Sequence, residues 1–254
     1  VSAPSAGRAG WARGVALVCG RELGAFFDSA IAYVYLISAL VLLTSLFMNE
    51  FFLTGRLDMT PLFDALGPLS IFLLPAISMR LWAEDKKSRT FELWMTLPLR
   101  PAQVVWGKYL AALALYGVFL LGTTPIVVML AWLGDPDLGL VFSGYLGALF
   151  LGALLLACGA LLSSLTGDQI VAFVASVLAG FLFVFTGHPK VVAVLDGMAP
   201  ELGAGSLLAE SVAALPRYEG FVRGLVELSS VVWFAGLAGV FLWLNAVVVT
   251  RVRS

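Results

Sequence analysis

One histidine, His188, and two cysteines, Cys19 and Cys158, are all that this 254-residue chain offers for imidazole or thiolate chemistry. Both cysteines lie in apolar stretches, so neither a disulfide scaffold nor a thiolate metal site can be built from them. Charge is scarce too. Asp, Glu, Lys and Arg together make 12% of the residues, about half the share found in soluble domains. A net charge of −1 removes any argument from bulk electrostatics. There is no G-x-x-x-x-G-K-[ST] loop, no H-E-x-x-H and no C-x-x-C. These absences exclude a soluble enzyme, a nucleic-acid binder and a nucleotide site of the phosphate-loop kind. His188 stands beside Pro189 with Asp196 eight residues on, which is too little for a catalytic triad. No acid, base and nucleophile converge at one depth, as an enzyme embedded in a membrane requires.

Apolar residues are what the chain has, at 61%, with a mean hydropathy of +0.99. The gaps between charges locate continuous apolar runs, and continuity selects helices over the alternating strands of a barrel. A bilayer needs about 20 residues per helix. Six spans are therefore expected, near 29–48, 61–82, 109–132, 141–164, 169–187 and 228–250. With the N-terminus inside, the inner segments hold 11 of the Lys and Arg residues and the outer segments 4. The excess of inner cations puts both termini in the cytoplasm. Ahead of the first span, Trp11, Val15, Val18, Cys19, Leu23, Phe26 and Phe27 recur at helical spacing. Trp11–Phe27 is thus expected to be an amphipathic helix on the inner membrane surface, within a cytoplasmic segment of residues 1–28. Its apolar run ends at Arg21-Glu22 and does not read as a cleaved signal peptide.

Residues 29–254 are expected to form one six-helix membrane domain with two long connections. The inner one, 83–108, carries Glu84, Asp85, Lys86, Lys87, Arg89, Glu92, Arg100 and Lys108. Thr90 to Leu97 can form a short helix, capped by Ser88 or Thr90 and stopped at Leu97-Pro98. Phe91, Leu93, Trp94 and Leu97 give it an apolar face. Either its cations only orient the membrane domain, with Phe91 and Trp94 resting in the headgroup region, or its helix docks into a groove on a cytosolic partner. Glu84 and Glu92 favour docking, because orientation has little use for acids. The outer connection, 188–227, has room for two short helices, Leu207–Leu215 and Tyr218–Leu228, on or within the outer leaflet. The second span holds Pro61, Pro68 and Pro75, seven residues apart and near one face, as in a kinked helix beside a cavity or in a merely bent one. Gly144, Ala148 and Gly152 in the fourth span, and Ala235 and Gly239 in the sixth, form ridges that let helices approach closely. No span has an ionisable residue near its centre, which argues against proton coupling.

The run Glu84-Asp85-Lys86-Lys87-Ser88-Arg89-Thr90-Phe91-Glu92-Leu93, then Leu97-Pro98 and Gly107-Lys108, resembles the loop after the second span in ABC type-2 permeases. Arg21-Glu22-Leu23 with Phe26-Phe27 and Ile31-Ala32-Tyr33-Val34, and Tyr218, Phe221 and Arg223-Gly224, resemble the gliding-motility-associated branch of that family. The resemblance implies an all-α membrane domain of the type V exporter kind, in the cell's inner (plasma) membrane. It implies partners: two cytosolic ABC ATPase subunits and a second permease subunit, identical or not, besides membrane lipid and without nucleic acid. ATP and Mg would be held by the ATPases, and this chain would carry no cofactor and no catalytic residue. Glu84, Asp85, Lys86, Lys87, Arg89, Thr90, Phe91, Glu92, Leu93, Trp94 and Pro98 would form the coupling loop seated on the ATPases. Spans two and five, with Pro68 and Pro75, would line the path between the two halves. The implied function is export, with membrane anchoring or force transmission as the alternative. Arg89 departs from the pattern, which has Gly there. That either adds a charge at the contact or moves the helix start.

Overall fold

The computed structural model describes residues 10–55, 57–91, 94, 98–134, 136–198 and 211–253, and among these the regular structure is entirely helical. Helices α1 (Trp11–Phe27), α2 (Ala30–Thr54), α3 (Thr60–Ser78) and α4 (Arg80–Lys87) come first, followed by α5 (Pro101–Leu121), α6 (Thr124–Leu133) and α7 (Leu138–Leu165). Then come α8 (Gln169–Phe185), α9 (Pro189–Met198), α10 (Leu215–Val222) and α11 (Leu228–Arg253). Helix α1 has the limits its periodicity predicts. Five stretches are long and apolar enough to cross a membrane: Ala30–Thr54, Thr60–Lys87, Pro101–Leu133, Leu138–Leu165 and Leu228–Arg251. The remaining expected span, near 169–187, is the 17-residue apolar helix α8, shorter than those five.

Two of these stretches differ from their expected limits for local reasons. The helix expected to begin at residue 109 begins at Pro101, because Lys108 is buried and paired instead of marking a water boundary. Its run is broken at Gly122-Thr123, just before Pro125, which has no N–H to give the Leu121 carbonyl. The Thr124 hydroxyl donates to that carbonyl instead, at 2.7 Å. The helix expected at 61–82 breaks at Met79 and continues as α4 to Lys87. Ser163 of α7 braces this break. Its hydroxyl accepts from the Trp82 and Ala83 amides, both at 3.1 Å, and donates to the Met79 carbonyl at 2.9 Å. Helix starts leave such amides without intrahelical partners, so α7 supplies what α4 lacks.

Helix α7 packs against α3, α5, α8, α10 and α11. Its small residues make this possible: a Cβ on Gly144 would fall 2.2 Å from the Phe63 ring, and one on Gly152 would fall 2.1 Å from Tyr116. Tyrosine hydroxyls tie the helices together. Tyr116 donates to the Ala148 carbonyl at 3.1 Å, Tyr109 to Ala153 at 3.2 Å and Tyr35 to Leu73 at 2.7 Å.

In the connection 188–227, α10 starts at Leu215, three residues before the expected Tyr218. Residues 207–210 of the other expected helix lie outside the described residues. Helix α10 is wedged between α3 and α7. Its Tyr218 hydroxyl donates to the Phe63 carbonyl at 2.7 Å, and its Phe221 carbonyl accepts from the Ser143 hydroxyl at 2.6 Å. Both side chains are fully buried. Tyr218→Phe removes one buried hydrogen bond and leaves the ring in place. A loss of about 1 kcal/mol in stability is expected, measured by thermal unfolding in detergent. An unchanged melting curve means that the wedge is held by ring packing alone.

Candidate functional site

The site lies at one end of the bundle, where α1, α4 and the start of α5 meet, and glycines set how closely they meet. A Cβ on Gly107 would fall 2.5 Å from Val18 Cβ, and one on Gly14 would fall 2.5 Å from Gln103 Nε2. Helix α1 therefore lies directly on α5, with Gly14 and Val18 as its buried residues. Gln103 clamps the crossing, donating to the Trp11 carbonyl at 3.3 Å and accepting from the Arg100 amide at 2.8 Å.

Beside this crossing Lys108 is 2% exposed. Its ammonium lies 2.9 Å from Glu22 Oε1 of α1 and 2.8 Å from Asp85 Oδ2 of α4. The Trp82 and Trp94 rings approach it at 5.3 and 5.1 Å. Burying an ammonium is tolerable only when opposite charge and further contacts replace its water. Two carboxylates and two ring faces do that here. One lysine thus ties three chain segments together. Asp85 carries the link further, since its other oxygen accepts from the Thr90 hydroxyl at 2.9 Å.

Helix α4 ends in a left-handed cap. The Thr90 amide bonds back to the Asp85 carbonyl at 2.9 Å and the Arg89 amide to the Lys86 carbonyl at 3.3 Å. Arg89 carries the left-handed backbone, with φ +58°. Glycine takes this conformation without a steric penalty, whereas a residue with a Cβ costs about 1 kcal/mol there. This is the position where the resembled pattern has Gly.

The structure divides the expected loop residues into two groups. Glu84 pairs with Arg80 through two hydrogen bonds, at 2.8 and 3.2 Å. Lys86 donates to the Ser164 carbonyl in the last turn of α7, where the helix dipole favours a cation. Phe91 packs edge-on against Trp82, 5.9 Å between centroids, and Trp94 lies under the Arg21 guanidinium at 4.4 Å. Phe91 and Trp94 are both buried inside this chain. By contrast Lys87, Arg89 and Pro98 are exposed, with Thr90 half-buried. Glu92 and Leu93 lie outside the described residues. Sequence reading missed Trp82, Gln103 and Ser163 as parts of this site, and it quoted Glu22 and Lys108 in the resembling motifs without giving either a role. The available signal was Lys108 itself, alone at the head of a 26-residue uncharged run.

A cleft of about 260 Å³ opens at this junction, lined by Arg21, Glu22, Arg80, Glu84, Asp85 and Lys108 among others. At the other end of α3, Thr60, Asp64, Pro68, Tyr218, Glu219 and Arg223 line a cavity of about 410 Å³. The expected proline stripe is divided. Pro61 sits in the first turn of α3, where no amide partner is needed; Pro68 faces this cavity; Pro75 is buried. Among the described residues no three His, Cys, Asp or Glu side chains converge as a metal site. Partial burial raises the Cys19 thiol above its ordinary pKa, which disfavours the reactive thiolate.

A multi-pass helical bundle with a charge-locked junction at one end is thus the class that the geometry defines. Residues 59–199, more than half of the chain, match the family described as ABC-2 family transporter protein. The chain belongs to that family. No curated protein matches it.

Proposed function

We propose that this chain is the membrane-spanning permease subunit of an ATP-driven exporter. It pairs with a second permease subunit and with two cytosolic ABC ATPases, which hold ATP and Mg. Six spans cross the inner (plasma) membrane with both termini in the cytoplasm. Helix α8 is the fifth, its 17 residues meeting the lower limit of about 17 for a span. The 11-to-4 bias of Lys and Arg supports this orientation. Helix α1 lies on the inner surface, and residues 84–98 form the coupling segment.

The observation that carries the reading is the Lys108 junction. A segment that only oriented the chain needs cations in water. Here Glu22, Asp85 and Lys108 are instead locked together, with side-chain exposures of 16, 17 and 2%. Such a lock makes the loop, the surface helix and the start of α5 move as one body. When ATP binding draws the ATPases together, a force on the loop then tilts α3 and α5 at once, as a rigid-body transition between two packed states. Helices α3 and α8 touch along Phe72 and Phe181, 5.8 Å between ring centroids, and would line the substrate path.

The test is co-expression with candidate ABC ATPases from the same genome, followed by purification in detergent and reconstitution. Retention of the ATPase, with ATP turnover that differs from that of the free ATPase, is expected. A wild-type chain that retains no ATPase refutes the reading. Normal docking and turnover without net export from proteoliposomes favours the force-transmitting alternative.

A further inference from the structure

At the Lys108 junction the acids are used internally. Glu22 and Asp85 face Lys108, and Glu84 faces Arg80. Asp168, at the start of α8, accepts from the Ile170 and Val171 amides. Two cations of the loop are used as well, Arg80 on Glu84 and Lys86 on the end of α7. Lys87, Arg89 and Arg100 remain exposed, and none of them forms an ion pair among the described residues. From Lys87 to Arg100 the sequence holds three cations and one acid, Glu92, a net charge of +2. The apolar residues Phe91 and Trp94 are buried in this chain's own base. Among the described residues of the segment, what Lys87, Arg89 and Arg100 offer a partner is therefore positive charge.

Arg89 adds a second, independent observation. It holds a left-handed backbone that glycine would take at lower energy, and its side chain is exposed. A guanidinium kept at a strained position, with no partner among the described residues, points to a partner outside the chain.

We infer that the coupling segment docks through Lys87, Arg89 and Arg100 into an acidic cleft on the ATPase, and that Arg89 is the principal contact. This rests on the permease reading above. Arg89 is the residue of choice because its planar guanidinium takes a carboxylate through two parallel hydrogen bonds. Glu84 is paired with Arg80 within α4 and is not among these contacts.

Binding of the purified ATPase to the reconstituted permease tests this, alongside the melting temperature of the permease alone. Wild-type affinity is expected to fall by about tenfold or more between low salt and ~0.5 M salt, because exposed charges are screened. Arg89→Glu is expected to weaken binding by about tenfold or more, since like charges then meet in the cleft. Arg89→Gly separates the contact from the fold: the melting temperature rises while affinity falls. Arg89→Lys keeps the charge without the fork and is expected to recover binding only in part. If Arg89→Gly and Arg89→Glu bind as the wild type does and salt has no effect, the acidic cleft is wrong while the permease reading stands. If the wild type itself binds no ATPase, the permease reading has failed instead.

Discussion

Replacing Lys108 with methionine is expected to destabilise the chain by about 3–5 kcal/mol, the usual consequence of removing one partner from a buried ion pair. Methionine fills a similar volume, so the loss arises from charge and not from a void. What it leaves behind are two carboxylates, Glu22 and Asp85, facing each other across an uncompensated site with 16 and 17% exposure. The Trp82 and Trp94 rings also lose the cation on which they converge. The measurement is thermal unfolding in detergent, where a drop of roughly 6–20 °C corresponds to that range. The triple variant Lys108→Met, Glu22→Gln, Asp85→Asn decides the cause. With no charge left to compensate, most of the lost stability is expected to return. Function does not return with it, since α1 and α4 are no longer tied to α5: ATP turnover is expected to become independent of the permease. A triple variant no more stable than the single one means that the ammonium is needed for its ring contacts and not for the carboxylates.

That junction also marks the limit of what the sequence discloses. Helical spacing of Trp11, Val15, Val18 and Leu23 predicts α1 with its observed limits, because amphipathicity is a local property. The same helix carries Glu22, and nothing local says that Glu22 faces a lysine 86 residues later. Hydropathy treats Lys108 as the end of an apolar run, because a transfer scale assigns a lysine one penalty whatever its partners. The true helix starts eight residues before the expected 109, at Pro101, where proline fits the first turn. Loop chemistry was legible in part. Thr90, read as a possible cap, does receive a structural role, through Asp85. Phe91 and Trp94 look in sequence like a face offered outward, yet both are buried. An apolar residue in a loop is compatible with either arrangement, and only the position of Trp82 and Arg21 in space separates the two.

The small-residue ridges give the sharpest contrast between positions that look alike in sequence. Gly144-x-x-x-Ala148-x-x-x-Gly152 and Ala235-x-x-x-Gly239 are the same pattern, yet a Cβ on Gly152 would fall 2.1 Å from Tyr116 and one on Gly239 meets nothing within 4 Å. The residue opposite Gly152 cannot simply move aside. Tyr116 is 1% exposed, is bonded to the Ala148 carbonyl at 3.1 Å and stacks on Phe119 at 6.0 Å. Accommodating a methyl group there means breaking that bond or shifting α5 away from α7. Overpacking of a tight core costs about 1–3 kcal/mol, and the buried hydroxyl adds about 1 more if its bond is lost. Gly152→Ala is therefore expected to lower stability by about 2–4 kcal/mol, and Gly152→Leu to prevent recovery of a folded permease. Gly239→Ala is expected to stabilise the isolated chain slightly, by up to about 1 kcal/mol, through the higher helix propensity of alanine. Paired melting curves of Gly152→Ala and Gly239→Ala in detergent decide the matter. Equal shifts at both positions mean that the two ridges are packed alike and that α11 has a partner in solution which the single chain does not supply. Opposite shifts mean that only α7 uses its glycines to bring neighbouring helices into contact.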